Sequence, residues 1–116
     1  MTNCDYRAPN ERERNLLDLL SSADFPGAGA VRQQLSACFV RPLDCDGSFQ
    51  LRGPAGPLAD VRYRVPVELY ANDLDGIPIH VLLHVIDGLC SEVEIYKDAP
   101  TTILALPNRW EYFIPK

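Results

Sequence analysis

Residues 61–97 read VRYRVPVELYANDLDGIPIHVLLHVIDGLCSEVEIYK. Apolar residues take alternate positions in three runs of this stretch, a period of two that is typical of strands with one face in a core. The pairs Asp75-Gly76 and Asp87-Gly88 separate the runs, and such pairs favour hairpin turns. The sequence therefore predicts three antiparallel strands in meander order, the first of them starting at Val61. The core-facing residues include Val61, Val65, Val67 and Leu69 in the first strand, Ile77, Ile79, Val81, Leu83 and Val85 in the second, and Leu89, Val93 and Ile95 in the third.

The length of each turn determines which side chains share a face, because residues directly opposite each other in an antiparallel pair point the same way. A two-residue Asp-Gly turn before the third strand would place Leu83 opposite Glu92 and mix the two faces. A three-residue loop that ends in a left-handed Gly keeps the apolar positions together. We therefore predict three-residue loops at 74–76 and 86–88. The expected pairs are Val67 with Leu83, Leu69 with Val81, and Val81 with Val93.

The same register collects polar and aromatic side chains on the opposite face of the sheet. Carboxylates and tyrosines around small apolar patches are typical of a protein-binding surface. The predicted cross-strand rows are Tyr70, His80 and Glu94, then Glu68, Leu82 and Glu92, then Pro66, His84 and Cys90. The predicted partner-binding residues are Glu68, Tyr70, His80, Leu82, Glu92 and Glu94.

Two helices are predicted before the meander. Asn10 followed by Glu13 forms a capping box that opens a helix from residue 11 to about residue 22. Pro26 suits the first position of a second helix, which we expect to end near residue 37 with Ala28, Val31 and Leu35 facing inward. The core-facing residues of the first helix are Leu16, Leu17, Leu19 and Leu20.

The remaining segments complete one α+β domain over residues 1–116. A hairpin at 38–52 is expected to turn at 45–47 and to place Leu43 opposite Phe49. Residues 101–106 are expected to form a short strand or extended segment, and 110–114 an edge strand or a strap packed on the core. We expect residues 1–9 and the Pro- and Gly-rich loop 53–57 to be flexible. The predicted fold has two N-terminal helices packed on one face of a mainly antiparallel meander sheet of five or six strands.

Net charge argues against some classes of partner. The formal charge is −5 at pH 7. Residues 1–64 hold eight basic and eight acidic residues, whereas residues 65–116 hold three basic and eight acidic residues. The excess acidity on the sheet half disfavours nucleic acid or an anionic membrane and permits a basic protein partner.

The sequence also contains no apolar segment long enough to span a bilayer and no apolar run near its start. A cytoplasmic protein is therefore expected. The four cysteines lack metal-ligand spacing, so reduced thiols are expected and no zinc site.

The two histidines raise three possibilities for chemistry. On a strand, His80 and His84 lie about 13 Å apart, too far to share one metal ion, so we predict no metal site and no cofactor. His80 beside Glu94 forms a pair that suits a general base or a polar anchor. Cys90 near His84 is a second candidate pair, for a nucleophile.

Four segments resemble a family of small bacterial proteins of uncharacterised function. These segments are 22–28 (SADFPGA), 31–35 (VRQQL), 82–88 (LLHVIDG) and 92–96 (EVEIY). The resemblance implies a single α+β domain in a bacterium and supplies no catalytic residues.

We interpret the chain as a non-catalytic protein-binding module rather than an enzyme. One concrete form is an immunity or antitoxin protein that covers the basic active site of a toxin. Two alternatives stay open: a small enzyme using His80 with Glu94 or Cys90 with His84, and a homodimer formed through the C-terminal edge strand.

Overall fold

The computed structural model describes residues 5–53 and 56–116, and within them it has two helices and one six-stranded antiparallel sheet. The predicted α+β fold class is confirmed. In the described part of the chain, no helix is long and apolar enough to cross a membrane. The elements are α1 (Glu11–Ser21), α2 (Ala28–Ser36), β1 (Phe39–Pro42), β2 (Phe49–Arg52), β3 (Glu68–Asn72), β4 (Pro78–Ile86), β5 (Leu89–Lys97) and β6 (Glu111–Phe113).

The sheet has the strand order β1-β2-β5-β4-β3-β6. Strands β3, β4 and β5 form the predicted meander, and the first hairpin joins it by pairing β2 with β5. Strand β6 pairs with β3, which confirms the predicted C-terminal edge strand. The meander thus occupies the middle of the sheet, with β1 and β2 on one side and β6 on the other.

The turn between β4 and β5 differs from the predicted three-residue loop. Ile86 pairs with Leu89, so the turn consists of Asp87 and Gly88 alone, both with positive φ. A bulge follows at once, because Val85 pairs with Cys90 while His84 pairs with Glu92, which leaves Ser91 as an extra residue. The bulge restores the alternation that the two-residue turn would destroy. The predicted pairing of Val81 with Val93 was therefore wrong, and Val81 lies opposite Ile95.

Of the loops predicted for the other two hairpins, one has the predicted length and one does not. Residues 74–76 form the predicted three-residue loop, Gly76 has a φ of 83°, and Leu69 pairs with Val81 as expected. In the first hairpin Pro42, not Leu43, pairs with Phe49. The reason is a four-residue loop, in which the Asp44 carboxylate accepts hydrogen bonds from two backbone N–H groups further along the turn.

Strand β3 begins at Glu68 rather than at Val61, so the predicted start of the first meander strand was wrong. Leu83 N donates to Val67 O, but Val85 N donates to Arg64 O, where a regular ladder would use Val65. Pro66 has no N–H to continue the ladder, which explains why the chain bends away there.

The helices pack their apolar faces on one side of the sheet. Helix α1 has the predicted capping box between Asn10 and Glu13. Helix α2 starts at Ala28, two residues after the predicted start, because Gly27 has a φ of 90° and acts as its N-cap. The core combines residues of both helices with those of the strands: Leu16, Leu17, Leu20, Val31, Leu35, Phe49, Leu69, Ile79, Val81, Leu83, Val93 and Ile95.

Two segments predicted to be flexible fall partly outside the described residues, namely 1–4 and 54–55. The described part of the N-terminal segment is fastened to the fold. Arg7 exchanges two backbone hydrogen bonds with Val40, at 2.8 and 2.9 Å. Its guanidinium also binds both carboxylate oxygens of the buried Glu13, at 2.6 and 2.9 Å.

A buried ionic cluster ties the segment after β5 to the β3–β4 turn. The Lys97 ammonium lies 2.9 Å from Asp73 and 2.7 Å from Asp75, and it donates to Thr102 O at 3.1 Å. The Asp73 carboxylate also accepts from the N–H groups of Leu104 and Ala105. Although burial opposes ionisation, these hydrogen bonds lower the pKa of Asp73. The cluster has all its polar groups paired and acts as a structural fastener.

The glycines supply a test of the β4–β5 turn. A Cβ added to Gly88 would lie 2.8 Å from Leu58 Cβ, whereas one added to Gly76 would meet nothing within 4 Å, although both have positive φ. Gly88→Ala should therefore lower the free energy of unfolding by about 2–4 kcal/mol, and Gly76→Ala by only about 1 kcal/mol. Gly29→Ala, in an open helical position, should raise it by about 0.5–1 kcal/mol. Urea denaturation measures all three, and equal losses for Gly88 and Gly76 would contradict the close packing of this turn.

The ionic cluster should respond unequally to loss of its two carboxylates. Asp73→Asn should lower the free energy of unfolding several times more than Asp75→Asn. The reason is that Asp73 is buried and holds three backbone N–H groups besides Lys97, whereas Asp75 is partly exposed. Denaturant midpoints of the two variants compare the losses directly. Similar midpoints would show that the segment after β5 does not depend on Asp73.

Candidate functional site

The face of the sheet opposite the helices, here called the outer face, carries the predicted binding residues. The two-residue turn and the bulge shift β5 by two residues relative to the predicted register. Tyr96 therefore replaces Glu94 in the first row, and Glu94 replaces Glu92 in the second. The observed rows are Glu111, Tyr70, His80 and Tyr96, then Phe113, Glu68, Leu82 and Glu94, then His84, Glu92, Gln50 and Arg41.

His80 lies between two carboxylates. The prediction that Glu94 would be its partner was wrong. Its Nδ1 lies 2.5 Å from Glu68, and its Nε2 lies 3.0 Å from Asp98. The ring stacks on Tyr96 with centroids 4.8 Å apart. Burial opposes protonation of the imidazole, but the hydrogen bonds that it donates to Asp98 and Glu68 outweigh burial and raise the pKa of His80. Both ring nitrogens are occupied, so the ring serves as a clamp between strands rather than as a free base.

His84 has a different environment on the same strand. Its Nε2 lies 2.8 Å from Glu94, and its Nδ1 lies 3.0 Å from Arg64 Nε. Because Arg64 can only donate, Nδ1 accepts, and the ring proton sits on Nε2 facing Glu94. The glutamate predicted as the partner of His80 thus pairs with His84.

The predicted pair of Cys90 and His84 does not form. Cys90 lies opposite Val85 and is buried on the helix side, because the bulge at Ser91 reverses its direction. Burial raises the pKa of the Cys90 thiol to about 12 and also raises that of Cys38. A buried thiol with a raised pKa is a poor nucleophile, and the predicted placement of Cys90 beside His84 was wrong.

The outer face exposes aromatic surface beside its carboxylates. Exposed fractions are 39% for Tyr70, 36% for Tyr96 and 55% for Phe113, with the half-buried Leu82 between them. Clefts of about 750, 450 and 320 Å³ are lined neither by the two histidines nor by the glutamates of the outer face, although Arg64 lines the 450 Å³ cleft. Exposed aromatic rings of this kind are enriched at protein interfaces.

Charge is unevenly distributed over this face. Acidic side chains occupy the part formed by β3, β4, β5 and β6. Basic side chains lie toward the β1–β2 edge, where Arg41 and Arg52 contact the ring of Tyr6 with centroid distances of 5.0 and 4.6 Å. The acidic residues of the face are Glu68, Glu92, Glu94, Asp98 and Glu111.

Sequence reasoning missed two members of this site, Asp98 and Arg64, and placed Tyr96 on the outer face without its cross-strand row. Asp98 follows β5 directly, and Tyr96 lies opposite His80 only when the strand is shifted by two residues. Arg64 was expected within a strand and instead lies in a bend, from which its side chain reaches His84. The alternation of Tyr96 with Ile95 indicates that Tyr96 lies on the outer face. Its cross-strand partner could not be predicted, because that pairing depends on the bulge at Ser91.

Residues 6–107 match the family described as Domain of unknown function (DUF6984). The chain belongs to this family. No curated protein and no solved structure matches it. The resemblance to an uncharacterised family is confirmed, and the bacterial origin that it implies stays a prediction. Because the family description gives no activity, the function has to be argued from the site itself.

The clamp around His80 predicts a particular dependence of stability on pH. A group with a raised pKa in the folded state stabilises the fold below its unfolded value, 6.5 for this histidine, and this contribution is lost as the pH rises through the folded pKa. His80→Asn should therefore cost most at about pH 5.5 and least at about pH 9. Val81→Ala, which only removes core packing, should cost the same at both pH values. Denaturation curves at the two pH values compare the variants, and a His80→Asn loss that does not change with pH would contradict the clamp.

Proposed function

We propose that this protein is a non-catalytic binding module that recognises a basic protein through its outer face. The observation that carries this proposal is the combination of exposed Tyr70, Tyr96 and Phe113 with an acidic surround on an open sheet face. Aromatic side chains supply most of the contact energy at protein interfaces, and complementary charge steers association.

The acidic groups are held in place before any partner binds. Glu68 is fixed by His80, and Glu94 is fixed by His84. Side chains that are already ordered lose little conformational entropy on binding, so their contacts count more toward affinity. Together with the exposed aromatic rings, this arrangement resembles a preformed interface.

The form of this proposal that we favour is an immunity or antitoxin protein that covers the basic active site of a toxin. Its support is the net charge of −5 and the acidity of the outer face. A cytoplasmic location belongs to the same proposal, since an immunity or antitoxin protein of this kind meets its toxin there.

An enzymatic role has less support. Both nitrogens of His80 are engaged by carboxylates, and the Nδ1 of His84 accepts from Arg64. Self-association has one observation in its favour: β6 is the outermost strand on its side, and its three residues are exposed. Sedimentation at micromolar concentration distinguishes a sheet continued across a dimer from a monomer.

Binding is tested by capture from the native cell extract with the wild-type chain and two charge-matched variants. The first changes Glu68, Glu92 and Glu94 to Gln, and the second changes the exposed Asp18, Asp24 and Asp60 to Asn. We expect a basic partner whose retention falls with salt and falls at least about tenfold with the first variant only.

Circular dichroism should show that both variants are folded. A partner that is retained equally by both variants would remove the outer face from consideration.

A further inference from the structure

We propose that His84, Glu92 and Glu94 form a binding site for a divalent transition-metal ion. The three residues lie at neighbouring points of β4 and β5, and each is half-buried. One ligand atom from each, an imidazole nitrogen and two carboxylate oxygens, lies within 4.8 Å of the other two. This proposal departs from the sequence-based prediction of no metal site, which was argued from the spacing of His80 and His84 and from that of the cysteines and did not consider these three residues together.

The position of the three residues follows from sheet geometry. Glu92 and Glu94 are two residues apart on β5, so their side chains leave the same face, about 7 Å apart at the backbone. His84 is the direct cross-strand partner of Glu92, at a backbone distance of about 5 Å. Two residues of one strand and one of its neighbour make a triangle that converges above the sheet.

The spacing of the ligand atoms is close to that of a coordination shell. With metal–ligand bonds of about 2.0–2.2 Å, ligand atoms lie about 3–3.5 Å apart. His84 Nε2 and Glu94 Oε1 are already 2.8 Å apart. Small side-chain rotations that bring the Glu92 carboxylate inward would complete three protein ligands and leave further positions open.

The donor set selects a class of ion. Imidazole nitrogen favours zinc and its first-row neighbours, whereas Mg²⁺ and Ca²⁺ prefer oxygen ligands alone. Two carboxylates supply the negative charge that balances a divalent cation. We therefore assign the site to ions of the zinc type rather than to Mg²⁺ or Ca²⁺.

The carboxylate of Glu92 gives a second reason to expect a cation. It lies beside the like charge of Glu94, and within residues 5–53 and 56–116 it has no hydrogen bond or ion pair. Two neighbouring carboxylates on one face repel each other unless a positive charge lies between them. The nearby N–H of His84 faces Glu94 rather than Glu92.

Arg64 competes with the metal and provides a signature of the site. Its donation to Nδ1 keeps the His84 proton on Nε2, which is the nitrogen that a metal would need. A ligating imidazole instead carries its proton on Nδ1 and donates it to an acceptor. Binding of the ion therefore requires the exposed Arg64 side chain to withdraw, so removal of this side chain should increase the affinity.

Calorimetric titration of the full-length protein with Zn²⁺ alone tests the site without any partner, so its outcome is independent of the proposed binding function. Glu92→Gln should weaken binding at least about tenfold. Glu111→Gln removes an exposed carboxylate at the far edge of the same face and should leave binding unchanged, while Arg64→Ala should strengthen it. Because all variants contain the same cysteines, any binding of Zn²⁺ to thiols contributes equally to each.

Paramagnetic broadening by Mn²⁺, a poor ion for thiolates, locates the site independently. Amide signals around His84, Glu92 and Glu94 should broaden first in the wild-type protein, and this effect should disappear in Glu92→Gln. Equal Zn²⁺ affinity of Glu92→Gln and Glu111→Gln, or broadening centred elsewhere, would overturn the proposal. An Arg64→Ala variant that binds no more tightly would overturn the competition at His84 Nδ1.

Discussion

The pairing of β4 with β5 is the constraint on which the rest of the structure depends. A sheet with one buried face requires apolar residues to stay opposite apolar residues, and a slip of one residue would exchange the two faces. Here a tight Asp87-Gly88 turn alone would cause that slip, and the extra residue at Ser91 cancels it. The core and the outer face both follow from this compensation.

The alternation of residue types allowed much of the fold to be predicted. The parity of β4, the parity of β5 beyond Ser91, the β3–β4 loop and the capping box at Asn10 each depend on local chemistry, and each was correct. Before Ser91 the parity of β5 was wrong, because Leu89, predicted to face the core, is 52% exposed. The position of the extra residue could not be predicted, because a loop of three residues and a turn of two followed by a bulge preserve the same parity. The two solutions differ by two residues in register, which is why the predicted row with Glu94 contains Tyr96 instead.

The remaining errors have equally specific causes. Cys90 lies before the bulge and therefore faces the core, a reversal that strict alternation cannot foresee. The bend before β3 follows from Pro66, whose effect was underestimated because apolar residues continue to alternate around it. The buried ionic cluster could have been predicted from Lys97. This residue follows Val93 and Ile95 at the next core-facing position of β5, and a lysine at such a position needs buried carboxylates.

The charged groups fall into two classes that differ in their use. Those around Lys97 and Glu13 form ion pairs and hydrogen bonds inside the fold, so they fasten segments together. On the outer face the half-buried carboxylates of Glu92 and Glu94 retain hydrogen-bonding capacity. Polar groups that are ordered but incompletely paired are therefore found on the outer face, the surface that we propose to be functional.

The register of β4 against β5 can be measured directly by nuclear Overhauser effects between backbone protons of the two strands. The account predicts cross-strand contacts of His80 with Tyr96, Leu82 with Glu94 and Leu83 with Val93, interrupted next to Ser91. Contacts of His80 with Glu94 and of Val81 with Val93 would show the three-residue loop instead. That result would contradict the arrangement of the core and of the outer face described above.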